Sequence, residues 1–159
     1  MQANTPCDTL YHDIRGKPIH DQCHVDLYIA GFPCQPFSAR GMKKGLADDG
    51  HRGQLYQELV RILMEEQPSF FLFENVLGLV TMDGGRRVVP VGVSSDEKYK
   101  TRHSFEAGRT METVLEAFRS CGYKVEWNVV NCKQFCPQHR ERVYFVGSKL
   151  ELNCPDVAW

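Results

Sequence analysis

The chain has 159 residues, 42% of them hydrophobic and 25% charged, and a formal net charge of −1 from 19 basic and 20 acidic side chains. That length suits one domain with a sizeable core, and the composition is that of a soluble globular protein. No apolar run reaches bilayer length and the first ten residues lack the basic and apolar stretches of a signal peptide, so no membrane association is expected. Without a global positive charge, contact with a polyanion must rest on local clusters: Arg40, Lys43, Lys44 and Arg52, or Arg86 and Arg87, or Arg140 and Arg142. The 7 cysteines are odd in number and scattered, which reads as reduced thiols in an intracellular protein.

Residues 25–30 (VDLYIA) form the first predicted strand, with Val25, Leu27 and Ile29 as its apolar set. It runs into GFPCQPFSARG, Gly31 to Gly41, where Cys34 lies between Pro33 and Pro36. Proline fixes φ and removes a backbone donor, so the chain is stiff on both sides of this thiol. The thiol falls at the carboxyl end of a strand, where open α/β sheets place ligands and chemistry. A long segment punctuated by Gly41, Gly45, Gly50 and Gly53 follows, the pattern of a functional lid. From Gln54 to Glu66, the spacing of Leu55, Leu59, Ile62 and Leu63 predicts an amphipathic helix that Pro68 ends. FFLFENV, Phe70–Val76, is a second buried strand with Glu74 and Asn75 at its carboxyl end. Residues 83–108 are polar and read as an inserted surface loop, with Arg86 and Arg87 as solvated charges. After Thr110, a second amphipathic helix is expected over Met111–Cys121, with Gly122 as its C′ residue. Strands over Tyr123–Val130 and Arg142–Val146, joined by NCKQFCPQHRE, complete an α/β pattern.

Cys34 and Glu74 each close a predicted strand, so a mainly parallel sheet would turn both toward one crevice. A thiol beside a carboxylic acid suits addition to an electron-poor ring: the thiolate adds while the acid donates to a ring nitrogen that takes up charge. As the only charge in an apolar strand, Glu74 is expected to be desolvated and biased toward its proton-donating form. The competing reading makes it a cap for the helix begun by Leu77 and Leu79. Arg140 and Arg142, two apart at a strand start, point to one face, where their forks suit a base carbonyl, a carboxylate and a phosphate. Their competing reading is a pair of edge arginines that discourage strand addition. A zinc site from Cys132, Cys136 and His139 with Cys121 or Cys154 fits no usual spacing, and no metal ligand is assigned. A thiol hydrolase built on Cys34 with His51 or His139 leaves Glu74, Asn75 and both arginines without a role.

Four motifs carry a family resemblance. VDLYIAGFPCQPFS, RGQLYQELVRIL, FLFENVLGL and PQHRERVYFVG, in this order, resemble the nucleophile motif, the block after it, the glutamate motif and the arginine motif of the C5-cytosine DNA methyltransferases. His12-Asp13-Ile14 is similar to the family's short cofactor motif, with histidine in place of glycine. The resemblance covers nearly the whole chain outside residues 83–108. It implies that residues 1–159 form part of an S-adenosylmethionine-dependent methyltransferase domain. Its Rossmann-like α/β sheet would be mainly parallel with a C-terminal antiparallel strand pair. It further implies that Cys34 adds to carbon-6 of a cytosine flipped out of DNA and that Glu74 engages ring nitrogen-3. Arg142 would hold the ring carbonyl, while Arg140 would steady Glu74 and contact phosphate. Pro33, Gln35 and Asn75 would line the substrate pocket, and Ser38 and Arg40 would close on the DNA backbone. S-adenosylmethionine is the implied cofactor, with Asp13 accepting a hydrogen bond from its adenine and Leu55 and Pro33 beside it.

The family's opening Phe-x-Gly-x-Gly strand and loop, the acidic residue that binds the ribose and the target-recognition domain have no counterpart here. The sequence therefore reads as the catalytic middle of an enzyme, with VDLYIA as an apolar sheet edge. The rest would come from a longer polypeptide or a complementing chain. Two further readings stand beside this one. A transfer-RNA cytosine methyltransferase uses similar catalytic residues, although PFS followed by Ala-Arg-Gly is more like the DNA enzymes. A non-catalytic regulatory subunit is suggested by the missing cofactor half.

Overall fold

Alternation along FFLFENV sends Phe71, Phe73 and Asn75 to one face of a strand and Phe70, Leu72, Glu74 and Val76 to the other. The structure, a computed structural model that describes residues 13–16, 25–33, 54–88 and 105–159, realises this split in β2 (Phe70–Val76). The first set is buried and the second half-exposed.

β2 is the second strand of a four-stranded sheet. β1 (Leu27–Gly31) runs parallel to it on one side, with Gly31 opposite Glu74. On the other side β6 (Glu141–Lys149) runs antiparallel to β2 and also to β5 (Tyr123–Asn131), giving the order β1-β2-β6-β5. The expected C-terminal antiparallel pair is present, and the antiparallel part reaches one strand further because β6 lies between β5 and β2. Among the described residues the parallel part is the β1–β2 pair. Both closing strands are longer than expected, since β5 and β6 pair without a break from Tyr123↔Lys149 to Asn131↔Glu141.

α1 (Tyr56–Glu66) and α3 (Arg109–Arg119) pack on the Phe71 face. α1 buries Tyr56, Leu59, Ile62 and Leu63; α3 buries Thr110, Met111, Val114, Leu115 and Phe118. Thr110 thus lies within the helix rather than before it, and the helix stops at Arg119. Gly122, at φ 88°, makes the left-handed turn into β5 expected of a glycine here. α2 (Leu77–Thr81) follows β2 directly and buries Leu79 and Val80. The ends of the 83–108 insertion pair as two short strands, β3 (Arg86–Arg87) and β4 (Phe105–Glu106). Among the described residues no helix is long and apolar enough to cross a membrane. The opposite face of the sheet carries apolar side chains on β1: Leu27 is 50% and Ile29 64% exposed, and β1 is an outer strand among the described residues.

The core is aromatic. Phe71 stacks on Phe73 with centroids 4.4 Å apart and meets Phe118 and Tyr123 edge-on. Tyr123 donates its hydroxyl to the Pro68 carbonyl at 2.7 Å, and burial pushes the phenol's pKa up to about 12. Gly147 on β6 faces the Phe71 ring so closely that a Cβ there would overlap it. Because that ring is hemmed in by three others, it has nowhere to retreat. Gly147→Ala should therefore lower stability by about 1–3 kcal/mol, read as a reduced midpoint in urea unfolding. An unchanged midpoint would show that the cluster is looser than described.

Candidate active site

Parallel register brings the chain leaving β1 past the Glu74 side chain: a Cβ at Gly31 would sit 3.5 Å from Glu74 Oε2. The next residue, Phe32, is buried against Phe145. Its carbonyl accepts a hydrogen bond from Asn75 Nδ2 at 3.2 Å, while Asn75 Oδ1 accepts from the Val76 amide at 2.8 Å. Asn75 is 1% exposed, so a buried amide ties the end of β2 to the backbone two residues before Cys34. Pro33 follows, half-buried. Cys34, Gln35, Ser38 and Arg40 lie outside the described residues.

The arginines come from β6. Val76 pairs with Arg142 and Glu74 with Tyr144, so Glu74 and Arg142 are diagonal neighbours on one face of the sheet. Arg142 Nε lies 2.9 Å from Glu74 Oε1, and its Nη1 donates to the Glu141 carbonyl at 2.8 Å. Arg140 Nη2 stands further off, 3.8 Å from the same carboxylate oxygen. The closer partner of Glu74 is thus Arg142, where Arg140 was expected. The reason is position: Arg142 is opposite β2, whereas Arg140 precedes β6 and is held by its backbone. Its amide donates to Asn131 Oδ1 at 3.2 Å and its carbonyl accepts from the Cys132 amide at 3.0 Å.

The picture of Glu74 as a lone charge among apolar neighbours needs correcting, since the carboxylate is paired and its side chain is 34% exposed. Nor is it a helix cap: Val76 is the N-cap of α2 and no side chain bonds there. A half-exposed ion pair of this kind adds at most about 1 kcal/mol to stability. Its value lies in orientation, because one carboxylate oxygen is committed to the arginine and the other lies beside Gly31.

An open cleft of about 570 Å³ adjoins the pair, lined by Val76, Leu77, Gly78 and Thr81 on one side and Gln138 to Arg142 on the other. That volume falls within the range of small-molecule and base-sized sites. The turn around Ile14 docks on α1, with Arg61 Nη2 donating to the Ile14 carbonyl at 3.4 Å. Asp13 immediately precedes this docked residue, and Leu55 is the N-cap of the same helix. Asp13 is gripped by Arg15, with contacts of 2.8 and 2.9 Å, and this pairing holds its carboxyl down to about pKa 2.

Arg15 and Asn131 were not singled out in the sequence. Arg15 had no signal beyond its nearness to Asp13. Asn131 did have one, because an asparagine at a strand end is a turn residue whose side chain bonds nearby amides. It accepts from Lys133 and Arg140 and so shapes the loop that carries Arg140. The alternative Cys/His site does not assemble: among the described residues no three His, Cys, Asp or Glu side chains come together as a metal site requires.

Fold and site together define an α/β domain whose candidate site lies at the carboxyl ends of a parallel strand pair. The comparisons agree. Residues 1–158 match the C-5 cytosine-specific DNA methylase family. The chain is 38% identical over 149 residues to the Type II methyltransferase M.NgoBV of Neisseria gonorrhoeae, and equally so to M.NlaIV of Neisseria lactamica. Each match covers 93% of this chain and 31% of the relative. Among solved structures, a protein assigned as a DNA modification methyltransferase within an E. coli prophage superposes with a TM-score of 0.53 at 27% identity. That superposition covers 87% of this chain and 30% of the other. The chain belongs to the C-5 cytosine-specific DNA methylase family, and it spans about a third of the length of these relatives.

Two measurements probe the site directly. Asn75→Ala leaves the Phe32 carbonyl and the Val76 amide without their buried partner and should cost about 1–3 kcal/mol in denaturant unfolding. A cost below that range would mean that water replaces the amide. Arg15 stabilises the ionised form of Asp13, a contribution present above the ordinary carboxylate range and lost as pH falls through about 2. In a carboxyl ¹³C titration, Arg15→Ala should raise the Asp13 pKa only part of the way back to the ordinary carboxylate range, because the residue-15 amide still donates to Oδ1; a titration still near 2 would assign the shift elsewhere.

Proposed function

We propose that this chain carries the cytosine-handling centre of a DNA (cytosine-5-)-methyltransferase. The observation that carries the reading is the Glu74 carboxylate, gripped by Arg142 at 2.9 Å and set beside the strand end that leads to Cys34. In this reading the Cys34 thiolate adds to carbon-6 of an extruded cytosine, and the displaced electron pair moves onto the ring. Glu74 meets ring nitrogen-3 with the oxygen not taken by Arg142. The remaining Arg142 donors reach the ring carbonyl, and Arg140, more exposed, reaches phosphate. Carbon-5 gains the methyl group, loses its proton to a base, and elimination frees the thiol. Gln35 and Pro33 shape the pocket, Asn75 supports it from the buried face through the Phe32 carbonyl rather than lining it, and Ser38 and Arg40 close on the backbone.

S-adenosylmethionine supplies the methyl group when bound. The residues proposed to hold it suit its chemistry: the exposed Asp13 carboxylate keeps acceptor capacity for an amino group beyond its bonds to Arg15, and Leu55 and Pro33 offer apolar surface. With a third of the relatives' length in hand, the remaining cofactor grip and the choice of DNA site fall to other segments. They would lie in the same polypeptide or in a complementing chain.

Trapping on DNA containing 5-fluorocytosine with S-adenosylmethionine tests this, with transfer RNA as the competing substrate. The expected result is a stable protein–DNA adduct that Cys34→Ala abolishes and Glu74→Gln slows by about 10²- to 10⁴-fold. An adduct that survives Cys34→Ala, or methyl transfer to the RNA alone, would refute the reading.

A further inference from the structure

The insertion at residues 83–108 does not simply leave the surface and return. Its two ends are fused where α2 stops and α3 starts. Gly108 donates to the Val80 carbonyl at 2.9 Å, Arg109 to the Asp83 carbonyl at 3.2 Å, and the Thr110 hydroxyl bonds the Asp83 carboxylate. Gly85 and Gly108 lie so close to this backbone that a side chain at either would collide with a carbonyl oxygen of Val80 or Met82. The stem is therefore rigidly mounted, and β3 pairs with β4 directly above it.

From that mount Arg87 reaches toward the candidate site. Its guanidinium lies over the Phe105 ring, 4.9 Å from the centroid, and its Nη2 contacts Glu141 Oε1 at 2.5 Å. The Glu141 side chain is only 14% exposed, so its charge needs this partner. Glu141 is the first residue of β6, paired with Asn131 on one side and lying beyond the end of β2 on the other. A strand start held on one side is where fraying begins. Its carbonyl also accepts from Arg142 Nη1, so any shift of Glu141 moves the guanidinium that grips Glu74. Arg86, one residue away, pairs instead with Glu106 within the stem and touches none of this.

We infer that Arg87 is a positioning residue: the inserted stem uses it to pin Glu141, and through Glu141 it fixes Arg142 against Glu74. A catalytic consequence rests on the function proposed above; the mechanical coupling does not. It makes the insertion part of the active-site frame rather than a surface elaboration.

The test follows the Arg142 Nε–H by ¹⁵N NMR in the whole chain and, separately, the rate of adduct formation with 5-fluorocytosine DNA. In Arg87→Met, which keeps the bulk over Phe105 but cannot pair, exchange of the Arg142 Nε–H should quicken at least about fivefold. In Arg86→Met, which loosens the stem without touching Glu141, it should change by less than about twofold. Arg87→Lys should restore most of the protection. Should Arg87→Met fail to fold, Glu141→Gln keeps the shape, removes the charge and should show the same direction of change. Unaltered exchange in Arg87→Met and Glu141→Gln, or equal acceleration in Arg86→Met, would overturn the inference. If the exchange pattern appears while the unsubstituted chain traps no cytosine, the positioning role stands and the function reading fails.

Discussion

Glu74 meets Arg142 because β6 runs antiparallel to β2 with Arg142 opposite Val76, and this register sets the two charges against each other on one face of the sheet. Moving β6 by one residue would turn Arg142 to the core and bring Glu141 or Val143 to the site face. The long, uninterrupted β5–β6 ladder and the buried Val143, Phe145 and Gly147 on the opposite face guard against that slip. The core and the candidate site thus share one pair of strands and use alternate side chains.

The same division runs through β2. Phe71 and Phe73 build the aromatic core, and Asn75, next on that face, replaces apolar packing with two hydrogen bonds. One bond reaches across to Phe32, so β1 is tied to β2 by a side chain just where its ladder ends. Cys34, the proposed nucleophile, follows this tie by two residues in the segment that leaves β1. The buried Asn75 amide fixes where that segment starts, and the paired Glu74 carboxylate stands at the adjacent position of the same strand.

Much of this was legible in the sequence, for physical reasons that differ from residue to residue. The apolar run in FFLFENV located β2 with Glu74 and Asn75 at its carboxyl end, though not the half-exposed face that Glu74 occupies, and spacing of 3.6 found α1 and α3 to within about two residues. Motif resemblance placed Cys34, Glu74 and the arginines in one family. What stayed hidden depended on pairing between distant segments. Which arginine would reach Glu74 is decided by the β2–β6 register, and nothing local to QHRER encodes it. The stem of the insertion was hidden for the same reason: Arg86 and Arg87 look alike in the chain. Only their pairing with Glu106 and Glu141 separates a charge that closes a hairpin from one that braces a strand.

The central claim is that the thiol at position 34 and the carboxylate at position 74 face one pocket the width of a single pyrimidine. Crosslinking addresses it without requiring catalysis. A Glu74→Cys variant treated with a bifunctional thiol reagent as long as one such ring should yield a 34–74 linkage, identified by peptide mass spectrometry. Single modification at both positions, with crosslinks confined to other cysteines such as Cys132 and Cys136, would contradict the account.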